Sequence, residues 1–389
     1  MEKTVKKYYE SAYTVDFAAT VLAWEQVDGK WRVLLDVTCF YPGGGGQPCD
    51  TGVLGGAQVT ECYERDGYIW HILEGSVPKF DIGDEIVGKI DFARRFALMQ
   101  NHTGEHLLSG LAKRGHGATN VGFHMSERGF TMDLDVYLDD QRLEKLELLA
   151  NEAVLAAVDV KISTVRGDGP LVREARSKKD FGATDEVRLV DIAGYDLCAC
   201  AALHVANTQE VGLVKIVAAQ KYKGGVRLTV YCGNDAHWDY GRKNDMLREI
   251  SRLTSSEVQN CVSAVKSLQQ VNIDFKKEAD GLRMQIFEIK AAQVPENSAL
   301  AWFRYDGLQP KDMQRFAGLA AQRAKLAVVL SDKKYFVCAQ GDADLLRDFV
   351  GRFNEELGGK GGISNLVAQG IVTAELSKVE EFLRNEIHR

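Results

Sequence analysis

The stretch DFARRFALMQNHTGEHLLSGLAKRGHG, residues 91–117, is where the chain changes character, and its reading decides the rest. Phe96, Met99, Leu107 and Leu111 recur at helical spacing, which predicts a helix over Phe92–Arg114 ended by Gly115 and Gly117. Inside it, His102 and His106 stand four residues apart. They therefore share one helix face, and both imidazoles can reach a single metal ion. Upstream, Thr14–Trp24 and Trp31–Phe40 are β-branched and aromatic and are separated by a turn at Asp28-Gly29-Lys30. Further short strands are expected around Val53, Tyr68–Leu73 and Glu85–Asp91, together a small β-barrel over residues 1–90. Downstream, a helix over Asp140–Val158 and strands at Val187–Ile192, Leu213–Gln220 and Val226–Cys232 make residues 91–236 an α+β domain.

From Arg242 to Ala292 there is no Pro and one Gly, Gly281. Cys261, Val265, Leu268, Asn272, Phe275, Ala279, Leu282, Ile286 and Ile289 alternate by four and three, a heptad seam with a single polar member. Residues 237–295 are therefore read as a helical, coiled-coil linker that packs either as a hairpin or between two copies. Pro295 ends it. Residues 296–389 alternate strands (Leu326–Leu330, Tyr335–Ala339) with helices (Met313–Lys325, Ala343–Leu357), a small α/β domain. The expected fold class is α+β throughout.

The 389 residues carry 48 Lys and Arg against 55 Asp and Glu, a formal charge of −7. Such a chain is no general nucleic-acid coat, so any RNA it binds is held by local basic patches. The candidates are Arg173, Arg176, Lys178 and Lys179, then Lys221, Lys223 and Arg227, with Lys360 among glycines near the end. No apolar run reaches the ~18 residues of a spanning helix. The apolar run Phe17–Trp24 is short and is read as a strand, not as part of a signal peptide. The eight dispersed cysteines are read as reduced thiols or metal ligands, and the expected compartment is the cytoplasm.

A second pair of metal-type donors, Cys200 and His204, repeats the spacing of four. Two donors from each of two segments complete a tetrahedral set of three nitrogens and one sulfur, with Cys198 as the alternative sulfur. Glu105 opens another reading, because His-x-x-Glu-His also marks metallopeptidases in which the Glu is the base. That chemistry needs a carboxylate as third ligand, and a Cys/His pair is foreign to it, so Glu105 is expected on a solvated face or behind the ligands. A third reading is a non-catalytic RNA-binding protein stapled by the metal. The last feature is Thr38-Cys39-Phe40-Tyr41-Pro42-Gly43-Gly44-Gly45-Gly46-Gln47-Pro48. Consecutive glycines let the backbone approach a ligand and present its N–H groups, with Gly44, Gly45 and Gly46 as the contact points. No Gly-Lys-Ser/Thr follows, so this is not a nucleoside-triphosphate loop. Gln47 offers an amide to a carbonyl or a ribose.

With these segments in view, the chain resembles the alanyl-tRNA editing proteins of the AlaX type and the editing and C-terminal parts of alanyl-tRNA synthetase. Thr38–Gly52 looks like the family's T-x-F-Y-P-x-G-G-G-Q-P-x-D-x-G segment, His102–Leu108 like its H-T-x-x-H-L-L motif, and Cys200–Gly212 like C-x-x-x-H-V-x-x-T-x-E-x-G. The heptad helix and Gly358-Gly359-Lys360-Gly361-Gly362 are similar to its linker and glycine-rich C-terminal domain. Two positions depart from the pattern: Cys-Ala-Ala-Leu-His stands where Cys-Gly-Gly-Thr-His is usual, and Gly43 replaces an acidic residue.

The resemblance implies the long, freestanding form: a zinc-dependent hydrolase that clears serine or glycine from alanine tRNA. One Zn2+ per chain would be held by His102, His106, Cys200 and His204. Water would be the attacking group, since no Ser/His/Asp set is apparent. Thr38 matches the position that contacts a serine hydroxyl, a contact that favours serine over alanine. The family precedent points to a homodimer through the C-terminal half. Nucleotide- and ATP-binding are terms that come with the family name alone.

Overall fold

The structure, a computed structural model, describes residues 2–75, 79–177 and 179–387. It is a mixed α+β chain that divides into two units, Met1–Glu249 and Ile250–Arg389. No helix among the described residues is long and apolar enough to cross a membrane.

The first unit begins with β1 (Val5–Lys6) and continues with a hairpin of β2 (Asp16–Val27) and β3 (Lys30–Leu35). Asp28 and Gly29 make its turn with φ of 51° and 78°, the left-handed pair that a right-twisted two-residue hairpin requires. β4 (Val37–Thr38) pairs in parallel with β1. Then come β5 (Gly52–Leu54), β6 (Ala57–Arg65), β7 (Tyr68–Glu74) and β8 (Glu85–Ile90). The pairing runs β2-β3-β7-β6-β5-β8, and β8 returns to β2 through Asp16–Thr20, so the ring of pairs closes. Alternate side chains such as Val33, Leu35, Leu54, Val59, Ile69 and Leu73 fill its interior.

α1 (Phe92–His116) follows directly. The Asp91 carboxylate accepts from the Arg94 N–H at 3.1 Å, Gly117 closes the helix at φ 65°, and Lys113, Arg114 and His116 lie in the last turn. Its middle is buried on nearly every side. Arg95, fully buried, reaches from α1 to the Asp50 carboxylate and the Cys39 carbonyl. This pins the helix to the strand ring at the two ends of the glycine segment.

β9 (Asn120–Met125) and β10 (Phe130–Leu134) form a hairpin, and α2 (Asp140–Leu155) packs on α1. β11 (Val160–Arg166), the short α3 (Pro170–Glu174), β12 (Glu186–Ile192) and β13 (Asp196–Ala199) give a three-stranded sheet in that strand order. β14 (Val214–Tyr222) and β15 (Gly225–Cys232) complete the sheet β14-β15-β10-β9. β13 approaches α1 closely at Gly110, where a Cβ would lie 2.0 Å from the Tyr195 carbonyl. A glycine there is the condition for Asp196 to reach the helix.

α4 (Gly233–Thr254) carries the chain across the unit division. The helical segment is interrupted before the heptad seam begins. Ser255 adopts φ 49°, and α5 (Cys261–Ala292) starts afresh. In the second unit, β16 (Ser298–Arg304), α6 (Pro310–Ala320) and β17 (Ala324–Ser331) make a parallel crossover. β18 (Lys334–Ala339), α7 (Ala343–Leu357), β19 (Lys360–Ser364), β20 (Val367–Ile371) and α8 (Leu376–Ile387) follow, and the sheet order is β16-β17-β18-β20-β19. α5 is buried at its first residue, Cys261, and toward its C-terminal end at Phe287 and Ala291, with Phe287 stacked on Phe316 at 4.5 Å. The seam residues Val265, Leu268, Phe275, Leu282, Ile286 and Ile289 are exposed. Lys360 stands exposed at the start of β19.

Candidate metal centre

α1 contributes His102 and His106, and the loop after β13 contributes Cys200 and His204. Their ligand atoms all lie within 4.8 Å of one another. The three rings have centroids 4.5–5.5 Å apart, and Cys200 Sγ is 3.6 Å from His102 Nε2. All three histidines are almost completely buried.

Each imidazole has an oxygen behind it at Nδ1, in hydrogen-bond contact for His102 and His204 and at ion-pair distance for His106. His102 Nδ1 meets Gln47 Oε1 at 3.2 Å, His106 Nδ1 meets Asp196 Oδ2 at 3.0 Å, and His204 Nδ1 meets Thr103 Oγ1 at 3.1 Å. Gln47 Oε1 and the Asp196 carboxylate can only accept, which places the proton of His102 and His106 on Nδ1 and leaves Nε2 as the free electron pair, the arrangement of metal-ligating histidines. His204 Nε2 is buried with no hydrogen-bond partner. A neutral buried nitrogen left unpaired is costly, and a cation at the centre of the cluster removes that cost. Burial works against a charged Cys200, yet the surrounding histidines hold its thiol well below the ordinary range, as a thiolate ligand requires. Cys198, by contrast, is pushed up to about 11 by burial. It groups with His106 and Asp196 rather than with the other three donors. The donor set of three imidazoles and one thiolate fits a divalent transition ion.

Glu105 is not a solvated helix residue: it is 3% exposed. Asn120 Nδ2 donates to its Oε1 at 2.6 Å, the Ser109 hydroxyl donates to the same oxygen, and Arg176 lies 3.5 Å from it. Burial opposes its charge, but Arg176, His106 and His102 outweigh that and hold the carboxyl below its usual range. All three partners take Oε1, and Oε2 lies 3.7 Å from His106 Nε2.

Arg176 forks onto Asp196 at 2.9 and 3.2 Å, so the cation expected for phosphate instead braces the carboxylate behind His106. Nothing in the sequence pairs Asp196 with His106, because the two meet only when β13 docks on α1. Of the other basic candidates, Arg173 and Lys179 are exposed, and Lys178 lies outside the described residues. Arg227 is paired with Asp133 at 2.6 Å and lies over the Tyr222 ring. Lys221 lies over Tyr137, and Lys223 over Tyr222.

Gly43–Gly46 all have positive φ, and Gly44 and Gln47 exchange backbone hydrogen bonds in a tight turn. The Tyr41 hydroxyl donates to the Gly44 carbonyl at 3.0 Å. A Cβ on Gly45 would lie 3.9 Å from Cys200 Sγ, so the bare turn rests against the donor cluster. Gln47 is 3% exposed, and its Nε2 has no partner. Thr38 is placed differently. It is fully buried, its hydroxyl lies 2.8 Å from His71 Nε2, and it accepts from the Phe40 N–H at 3.0 Å. His71 Nδ1 donates to the Val33 carbonyl at 3.2 Å, which makes Nε2 the acceptor of the Thr38 hydroxyl. Burial lowers His71 to about 4, so it is neutral.

The loop carrying Cys200 is held by residues that the sequence did not single out. Arg188 Nη1 donates to the Cys200 and Ala202 carbonyls at 2.8 Å each, the Tyr9 hydroxyl donates to the Ala201 carbonyl at 2.9 Å, and Arg188 lies 5.1 Å from the Tyr9 ring centre.

Residues 4–94 match the family described as tRNA synthetases class II (A), and residues 187–248 match the threonyl and alanyl tRNA synthetase second additional domain. The chain is 26% identical to "Alanyl-tRNA editing protein AlaX-L" of Pyrococcus horikoshii, over 96% of this chain and 95% of that protein. It is 29% identical to an alanine–tRNA ligase of Pyrobaculum calidifontis, with all of this chain matched but 44% of the ligase. It is 29% identical to that of Methanopyrus kandleri over 76% of this chain and 33% of the ligase. The chain thus spans less than half the length of these ligases. Its near end-to-end match with the editing protein, and the two domains it shares with the synthetases, make it a relative of the AlaX-type alanyl-tRNA editing proteins.

Proposed function

We propose that this chain is a trans-acting deacylase that hydrolyses the ester joining serine or glycine to alanine tRNA, at a zinc ion held by His102, His106, Cys200 and His204. The observation that carries the reading is the four-donor cluster lying against a bare-backbone turn whose buried amide, Gln47 Nε2, is unspent. When bound, zinc supplies Lewis acidity toward an ester carbonyl and lowers the pKa of a bound water to about 7.

The chain's own residues do the rest. The glycine turn admits the aminoacyl end where a Cβ would block it. Gln47 Nε2 donates a hydrogen bond to an acceptor oxygen of that end, while its Oε1 orients His102. Asp196 keeps the proton on Nδ1 of His106, and Thr103 holds the His204 ring at Nδ1. The Thr38 hydroxyl directs its hydrogen to His71, so it offers an incoming serine hydroxyl a lone pair, and glycine has no group to meet it. The Cys200 and His204 donors, in place of the carboxylate ligand a peptidase of this motif needs, favour this reading over a peptidase in which Glu105 is the base.

Lys221, Lys223 and Arg227, with the tyrosines beneath them, together with Arg173, Lys179 and Lys360, are proposed as contacts to the tRNA backbone. The division into a barrel (1–90), an editing domain (91–236), a helical linker (237–295) and a C-terminal domain (296–389) belongs to the same proposal. So do a homodimer through the exposed seam and a cytoplasmic location.

The test offers Ser-, Gly- and Ala-charged alanine tRNA to the wild type and to His106→Ala, with zinc measured in both. Clearance of the first two by zinc-loaded wild type only is expected. No clearance of any of them by zinc-loaded wild type would overturn the reading.

A further inference from the structure

Among the arginines of the first unit, Arg95 has Asp50, Arg176 has Asp196 and Glu105, and Arg32 has Glu25, while Arg94 is bonded to the Cys49 carbonyl on the barrel side. Arg188 has no carboxylate partner among the described residues. Its bonds are the two from Nη1 to the Cys200 and Ala202 carbonyls and the contact with the Tyr9 ring. Nε and Nη2 are unspent. The guanidinium is half-buried and held in a fixed orientation by the two carbonyls, and its remaining donors are open to an incoming anion. The position is informative as well. The carbonyls it holds belong to a metal ligand and to Ala202, and a Cβ on Gly45 would lie 3.5 Å from the Ala202 methyl. Tyr9 is 40% exposed beside it. An unpaired cation, an exposed aromatic face, the glycine turn and the metal ligands therefore meet at one rim.

We propose that Arg188 is the anion anchor of this site, and that it binds a phosphodiester of the unpaired 3′ strand whose acylated end enters the metal centre. The assignment rests on the deacylase reading above. A planar guanidinium with two adjacent free donors matches two phosphate oxygens, and an aromatic face beside it suits an unstacked base. The anchor has a positional consequence: Arg188 grips the ligand loop through backbone carbonyls, so a phosphate bound to it is fixed in distance from Cys200. Free inorganic phosphate offers the same oxygens, and the experiment separates the two sources.

The probe is an uncharged alanine-tRNA minihelix with its unpaired 3′ strand, alongside versions in which each linkage of that strand is in turn a neutral methylphosphonate. Binding to wild type, Arg188→Gln and Arg188→Lys is measured across a salt series, with zinc-loaded and with chelated protein, so that a loss of metal by a variant does not enter the comparison. Wild type is expected to bind one neutral-linkage probe about tenfold more weakly than the natural one. Arg188→Gln is expected to bind the natural probe about tenfold more weakly, to be indifferent to that linkage, and to show a log–log salt slope smaller by about 0.7. Arg188→Lys keeps the slope and loses part of the affinity. Equal affinity and equal slope for wild type and Arg188→Gln would overturn the assignment. So would displacement of the minihelix from wild type by inorganic phosphate alone, together with indifference to every neutral linkage. If zinc-loaded wild type does not bind the minihelix at all, the deacylase reading falls, and the anchor with it.

Discussion

His71 gives the first unit a pH dependence that can be worked out from its surroundings. Its ring is fully buried, donates to the Val33 carbonyl, accepts from Thr38 and packs edge-on against Phe40 at 5.3 Å. Burial lowers it from 6.5 to about 4. Because the folded pKa lies below the unfolded one, the unfolded chain binds the extra proton between these values. Stability must therefore fall as the pH falls through that window. With these two values, the proton taken up on unfolding removes about 2 kcal/mol of stability between pH 7 and pH 5. His71→Gln keeps an acceptor for Thr38 and a donor for Val33 but has no proton to gain. The assay is urea denaturation of wild type and variant at both pH values, followed by the fluorescence of Trp24, Trp31 and Trp70, which lie in the strand ring. The wild type is expected to be more stable at pH 7, and its advantage to shrink by about 2 kcal/mol at pH 5. The metal ligands titrate in both proteins and cancel in the difference. An advantage that stays constant between the two pH values would refute the reasoning, because a neutral buried imidazole cannot then be what His71 is.

Asp196→Asn removes the charge behind His106 while keeping the shape, and it should weaken metal binding by ~10–100-fold in competition with a chromogenic chelator. Gly46→Ala places a methyl 2.6 Å from the Phe123 ring at φ 85°, whereas at Gly45 the nearest atom is 3.5 Å away and φ is 59°. The first substitution should destabilise the unit by about 2 kcal/mol and the second by about 1, by denaturation. Thr38→Val should slow clearance of serine more than that of glycine in parallel deacylation assays, and equal slowing of both would remove its part in selection. The same variant loses two buried hydrogen bonds, so its stability should fall by ~1–2 kcal/mol.

The helix at residues 92–116 and the four metal donors were legible because both are periodic: a 3.6-residue repeat of apolar side chains and two i, i+4 donor pairs. Asp28-Gly29 was legible because its turn demands positive φ. What sequence spacing does not carry is which polar groups meet across elements. Asp196, Arg188 and His71 take their roles from strands docked onto partners far away in the chain. Arg176 sits in a basic run that reads as surface until Asp196 and Glu105 are placed beside it. The position of the break at Ser255 was not legible for another reason: a serine in the left-handed region has no glycine or proline to announce it. The α5 seam was visible as a pattern, but a pattern does not say what covers it, and along most of its length it is exposed.

The single amide of Gln47 faces two ways. Its oxygen is tied to His102, and its nitrogen, buried, has no partner. Any partner that takes the nitrogen pulls on the oxygen, and any ion that draws on His102 reorients the amide. Thermodynamic linkage then makes the effect mutual: filling the turn must change affinity for the ion by the same factor that filling the ion site changes affinity for whatever occupies the turn.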